Sequence, residues 1–302
     1  MELPFHTLDV FTARRFGGNP LAVVLEADGL TTVQMQTVAR EFNLSETIFV
    51  QRPENPANSA KVRIFFPTAE IPFAGHPTVG CAILLAEMKN KAGCSFETEI
   101  RLEEQAGLVP VKVTRIGDVP RAEFVAPVIP HAAPGVAPDF ALAARALDLT
   151  TAEIGLPGHA LAVWQGGPAF LYIPVASRTA LARARPIEPH WSQMIAAAKV
   201  NCAYLYTPGG DHAETAFRAR MFAPTAGTPE DPATGSATAI LSAQLFASGL
   251  IRPGTTPFRL EQGYEMGRPS DLFLTIDASA QGLTAVRVAG QAVRVSRGVI
   301  EI

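Results

Sequence analysis

The chain has 302 residues, 48% hydrophobic and 18% charged, with a net charge of -3 and a pI of about 6.1. That is the composition of a globular protein long enough for two modest domains, and it carries no basic field to hold a nucleic acid. The opening MELPFHTLDVFTARRF lacks a charged and then apolar leader, and no window nears the ~20 apolar residues of a membrane helix. Cys81, Cys94 and Cys202 show no C-x-x-C spacing. Neither a disulfide scaffold nor a zinc site is expected, and a reduced cytoplasmic protein with no membrane partner fits best.

In chain order, FHTLDVF, PLAVVLE, ETIFVQ, AKVRIFF, GLVPVKVTRI and AEFVAP are short alternating or β-branched runs bounded by Gly, Pro or Asn. They read as strands. Among them Thr32 to Asn43 reads as a helix. Met35, Val38, Ala39 and Phe42 fall on one face, and Thr31 or Thr32 serves as N-cap. The stretch APVIPHAAPGVAPDF, 126 to 140, reads as a linker. It separates a first half, 1–127, from a second, 128–289, and the strand 290–302 is a candidate to return to the first.

A shift of 157 residues lays RIFFPTAEIPFAGHPTVGCAILLA (63 to 86) over RMFAPTAGTPEDPATGSATAILSA (220 to 243), with ten matches in 24 ungapped positions. A period this long implies two related domains, each with a strand, a Pro-rich turn and a helix. Both predicted helices, Thr78 to Met88 and Ser236 to Ala247, are apolar or small all round. A helix of that kind is buried, so each domain is expected to wrap its strands around one central helix. Gly249 suits the stop of the second.

Both helices begin at a Gly-containing turn, AGHPT and DPATGSA. Unpaired N–H groups and the positive dipole end make such turns ready sites for a carboxylate. Asp231 and Ser236 are equally ordinary as capping and turn residues. The halves differ in their ionisable groups. Glu46 meets Ala203 at the same shift, His76 has no His partner and Asp231 no acid partner. That asymmetry suits directional proton transfer, although each residue alone reads as readily as structural. The sequence contains no P-loop, Rossmann spacing, G-x-S-x-G or metal-ligand cluster.

FGGNPLAVV, EFNLSETIFV, FFPTAEIPFAGHPTVG, DPATGSA and EQGYEMGRPS, in this order, resemble the PhzF-like phenazine-biosynthesis family. The resemblance runs from Phe5 to beyond Ser270. It implies an α+β, diaminopimelate epimerase-like fold: two pseudo-symmetric domains, each a rolled, barrel-like sheet around a buried central helix, with the active site between them. It also implies cofactor-independent isomerisation of a small unsaturated or cyclic carboxylic acid. The founding activity acts on trans-2,3-dihydro-3-hydroxyanthranilate.

By that resemblance Glu46 carries the proton, first as general base and then as general acid. His76, Asp231 and Ser236 hold and polarise the substrate, Gly75 and Gly235 offer backbone N–H groups to its carboxylate, and Asn19 lines the cleft. No cofactor or metal is implied, and a homodimer is the expected assembly. The epimerase relatives use two cysteines where this chain has Gly75 and Asp231, so two-thiol racemisation is not expected. Two alternatives stand beside this reading: a non-catalytic small-acid-binding or interaction protein, and an epimerase or dehydratase of an amino acid derivative.

Overall fold

A run of strands with one apolar face must close on something apolar, and the first half does so around a helix. The computed structural model describes residues 1–91 and 93–302, with every side chain among them except that of Ala226. The chain divides into two compact units, Met1–Pro127 with Ala289–Ile302, and Val128–Val288.

In the first unit, β1 (Glu2–Val10), β2 (Asn19–Val24), α1 (Thr32–Phe42), β3 (Glu46–Gln51), β4 (Ala60–Phe65), β5 (Glu70–Ile71), α2 (Gly75–Lys89), β6 (Phe96–Glu104), β7 (Gly107–Arg115) and β8 (Arg121–Val125) follow in order. In the second come β9 (His131–Ala132), α3 (Phe140–Ala146), β10 (Ala162–Gln165), β11 (Ala169–Pro174), α4 (Arg178–Arg183), α5 (His190–Ala198), β12 (Ala203–Pro208), β13 (Thr215–Ala223), β14 (Thr228–Asp231), α6 (Gly235–Ala247), β15 (Gly254–Gln262) and β16 (Ser270–Ser279). The long β17 (Gly282–Glu301) carries the chain back into the first unit.

Pairing in the first unit runs β17–β1–β2–β3–β4–β6–β7–β8, and β8 pairs with β17 again. The sheet is therefore a closed eight-stranded barrel, which leaves no open edge. Helix α2 packs against β1, β2, β3, β6, β7 and β8, and every residue from Gly75 to Leu84 is buried. Gly80 permits the close fit. A Cβ there would lie 2.6 Å from a Leu21 methyl and 2.7 Å from a Val10 methyl. Outside the barrel, α1 lays Met35, Val38 and Ala39 on Leu3, Val24, Phe49 and Phe65. A capping box between Thr31 and Gln34 starts that helix, and Asn43 in the left-handed region ends it.

The second unit repeats the pattern. β11–β12–β13–β15–β16 pair parallel, antiparallel, parallel, antiparallel, the same senses as β2–β3–β4–β6–β7. Helix α6 packs against β9, β10, β11 and β16. The outer layer differs: α3, α4 and α5 bury Ala144, Leu181, Trp191 and Met194 against Leu171, Leu205 and Phe222.

The structure corrects the register of the sequence repeat. Ile64 pairs with Ile71, and Met221, 157 residues after Ile64, pairs with Asp231, 160 after Ile71. The central helices start at Gly75 and Gly235, also 160 apart. The second half thus holds three extra residues after Ala226, and the Ala-Ile-Leu match at 82–84 and 239–241 is compositional. Helix α2 begins at Gly75 rather than Thr78, because Pro77 has no N–H to lose in a first turn, and α6 begins at Gly235, one residue before Ser236.

Candidate active site

Glu46 opens β3 four residues after α1 ends, beside Leu21 of β2. It is only 7% exposed, so it is no solvated strand opener. His76 is the second residue of α2 and 3% exposed. Its Nδ1 lies 3.1 Å from Glu46 Oε2. Nε2 is buried with no hydrogen-bond partner among the described residues. Burial pushes the imidazole down to about 3, and the Pro20 carbonyl beside the ring opposes this only partly. His76 is therefore neutral at physiological pH, and its closeness to Glu46 is a polar contact rather than an ion pair. A charged imidazole at that distance would hold the carboxylate in its ionised form and weaken it as a base.

Gly75 and His76 head a helix with no side-chain cap on its first N–H groups. Asn19 opens β2, opposite Val10, and is fully buried. Gly18 just before it needs its left-handed φ of 64°, and a Cβ there would run into the Val10 carbonyl. The first unit thus brings Glu46, Gly75 and His76 to one place.

In the second unit Asp231 ends β14, 8% exposed, and does not cap α6. Thr234 is the N-cap residue, and its hydroxyl donates to Asp231 Oδ2 at 2.6 Å. Gln262 completes the cluster. Its Nε2 donates to the Asp231 carbonyl at 2.8 Å and to Thr234 Oγ1 at 2.9 Å, and its Oε1 accepts from Thr234 N at 3.1 Å. Gly235 and Ser236 are the first two residues of α6, which also has no side-chain cap. An anion could take those N–H groups.

Thr234 and Gln262 were not among the residues singled out from sequence. The signal lay in RLEE (101–104) and RLEQ (259–262), a second internal match. Glu103 accepts from the backbone N–H groups of Glu54 and Asn55 and from Asn58 Nδ2. Glu261 accepts from those of Asp211 and His212 and from Thr215 Oγ1. One residue later, Glu104 and Gln262 each reach the start of a central helix.

Cysteine chemistry has no support. Cys81 lies in the second turn of the helix with its thiol pushed well up by burial, and Cys202 is raised to about 12. Among the described residues no group of three or more His, Cys, Asp or Glu could hold a metal ion, and no helix is long and apolar enough to cross a membrane.

The family model for phenazine biosynthesis-like proteins matches residues 8–298. The chain belongs to this PhzF-like family. An uncharacterised isomerase of Mesorhizobium japonicum is 42% identical over 294 residues, 96% of each chain. The trans-2,3-dihydro-3-hydroxyanthranilate isomerase of Pseudomonas fluorescens is 35% identical over 296 residues, 97% of each. The crystal structure of a Bacillus anthracis PhzF-family protein superposes with a TM-score of 0.88 over the full length of both chains, at 22% identity. A probable proline racemase from Agrobacterium radiobacter shares the fold, with a TM-score of 0.63 over 99% of this chain and 92% of its own. This PhzF-like chain is an isomerase on the epimerase scaffold.

Proposed function

We propose that the protein moves a proton between two carbons of a small unsaturated ring carboxylate of the trans-2,3-dihydro-3-hydroxyanthranilate type, with Glu46 as the proton carrier. The observation that carries this is the buried Glu46 carboxylate 3.1 Å from a neutral, buried His76. Glu46 takes a proton from an sp³ ring carbon next to the double bonds. The electron pair left behind spreads through the conjugated system toward the substrate carboxylate. Glu46 then returns the proton at a second carbon, and the enol product tautomerises. A single carboxylate serves as base and then acid, so the enzyme ends each cycle as it began.

His76 keeps the carboxylate in place as a neutral partner and offers the substrate a polar atom at Nε2. Asn19 and the N–H groups at Gly75 contribute to holding the substrate. Gly235 and Ser236, at the uncapped start of α6, are the proposed binders of a carboxylate. Asp231, fixed by Thr234 and Gln262, is the proposed acceptor for a donor group of a ligand. A small carboxylate is the proposed partner, and a homodimer the proposed assembly.

Proton NMR in D₂O tests this directly. With trans-2,3-dihydro-3-hydroxyanthranilate or a ring-acid analogue, wild-type protein should place deuterium at the receiving carbon, and Glu46→Gln should not. A Glu46→Gln variant exchanging at near the wild-type rate removes Glu46 from the role. Binding without exchange by the wild-type protein, across a panel of such acids, favours a small-acid-binding protein instead.

A further inference from the structure

Glu104 ends β6, is 8% exposed, and turns its carboxyl to the first turn of α2. Three oxygens meet there. Thr78 Oγ1 lies 2.7 Å from the Ala74 carbonyl and 2.7 Å from Glu104 Oε1. A threonine hydroxyl has one proton, and the carbonyl has none. With an ionised Glu104, that single proton would serve two acceptors, and one short oxygen pair would be left without a hydrogen. A proton on Glu104 resolves the count: Glu104 donates to Thr78, and Thr78 donates to Ala74. Glu104 Oε2 is buried with no hydrogen-bond partner among the described residues, a poor setting for a charged carboxylate.

The second half repeats the arrangement with a residue that cannot ionise. Gln262, also one position after the loop-clamping glutamate, donates to Thr234 Oγ1 and accepts from Thr234 N at the head of α6. A protonated carboxyl and an amide share this capacity to donate and accept while carrying no charge.

We propose that Glu104 is a positioning residue that works as a neutral carboxylic acid, its proton tying the end of β6 to the turn that carries Gly75 and His76. Its bearing on catalysis rests on the role proposed for that turn; its protonation does not. Burial pushes Glu104 up to about 8, with Thr78 opposing. The charged groups of the elements packed around it are engaged elsewhere. On β4, Lys61 and Arg63 pair with Glu54 and Glu70. On β7, Lys112 and Arg115 pair with Glu97 and Glu87, which is itself on α2. His76 and Cys81 of α2 are uncharged, and Lys89 stands at its far end. Ionisation above about pH 8 breaks the proton chain and frees the first turn of α2.

Infrared spectroscopy tests the protonation without any turnover. Wild-type protein at pH 7 should show the carbonyl stretch of a protonated carboxyl that is missing from Glu104→Gln and titrates away with a midpoint near 8. His76 ring signals in NMR should move with the same midpoint in the wild type and stay still in Glu104→Gln. With a ring-acid substrate at pH 7, Glu104→Gln should keep at least a third of kcat, and Glu104→Leu should lose tenfold or more. Absence of the band, or its titration near the ordinary glutamate range, overturns the neutral acid. A band that titrates as expected while the His76 signals do not follow overturns the positioning role. Both readouts compare the wild-type protein with Glu104→Gln, so they stand even if Glu104→Leu does not fold.

Discussion

The heads of α2 and α6 are the same structure carrying different chemistry. Each is the uncapped start of a buried helix, reached by the last residue of a neighbouring strand. At the first, the strand-opening residue is Glu46 and the second helical residue is His76. At the second, Ala203 and Ser236 stand there, and Asp231 takes the place of Ile71. The pair proposed to carry the proton thus belongs to one half, while the other combines a fixed acid with the turn proposed to bind an anion. Two copies of one scaffold can diverge this way because the barrel and its helix supply the fold, which leaves the helix heads free to change.

The same division shows in packing. Gly80 of α2 makes room for Leu21 and Val10 of the strands around it. Its counterpart, Ile240 of α6, is large, and there the small residue is Gly166, where a Cβ would lie 2.9 Å from Ile240. The small residue stands on the helix in one half and beside it in the other.

Four experiments bear on this comparison. The largest effect is expected from Glu46→Gln, which should lower kcat by about 10²–10⁴-fold, the usual range for a general acid or base. Affinity for an inert acid ligand should change by less than about tenfold, roughly 1.4 kcal/mol. An equal loss in both would make Glu46 a binding residue and erase the contrast between the halves.

Next comes stability against pH. The folded value of Glu104, about 8, lies above the ordinary glutamate value of 4.5. Between those two values the unfolded chain has lost the proton and the folded chain keeps it, so stability should fall as pH rises across that window and level off beyond about 8. The slope is at most about 1.4 kcal/mol per pH unit. Urea melts of wild type and Glu104→Gln should differ in this slope, and parallel curves would remove the distinction between Glu104 and Gln262.

Gly80→Val should then destabilise by about 1–3 kcal/mol through overpacking against Leu21 and Val10, read from urea midpoints. A neutral result would show that the barrel can yield there. The smallest effect is expected from Ser236→Ala, which should weaken an acid ligand by about 1–2 kcal/mol, the scale of a hydrogen bond to a charged group. Calorimetric titration should show this with kcat much less affected. A kcat loss as large as that of Glu46→Gln would move proton transfer into the second half.

The sequence alone determined the ingredients. Period-2 runs and two all-apolar helices required strands wrapped around buried helices, since such helices have no face to turn to water. The internal repeat required two related halves, and the spaced motifs carried the PhzF-like resemblance. Helix heads and acidic asymmetry were legible because Gly, Pro and charged residues punctuate the pattern. Only the tertiary structure decided the rest. The three-residue offset at α6 is set by how β14 pairs with β13, which an ungapped comparison cannot register. The neutrality of His76 and Glu104 comes from desolvation by residues distant in the chain. Gln262 reads in sequence as an ordinary polar strand end, and folding alone places it 31 residues from Asp231 in the chain but within 2.8 Å of its carbonyl. Local chemistry is written in residue types, but a proton's location depends on which groups are taken out of water together.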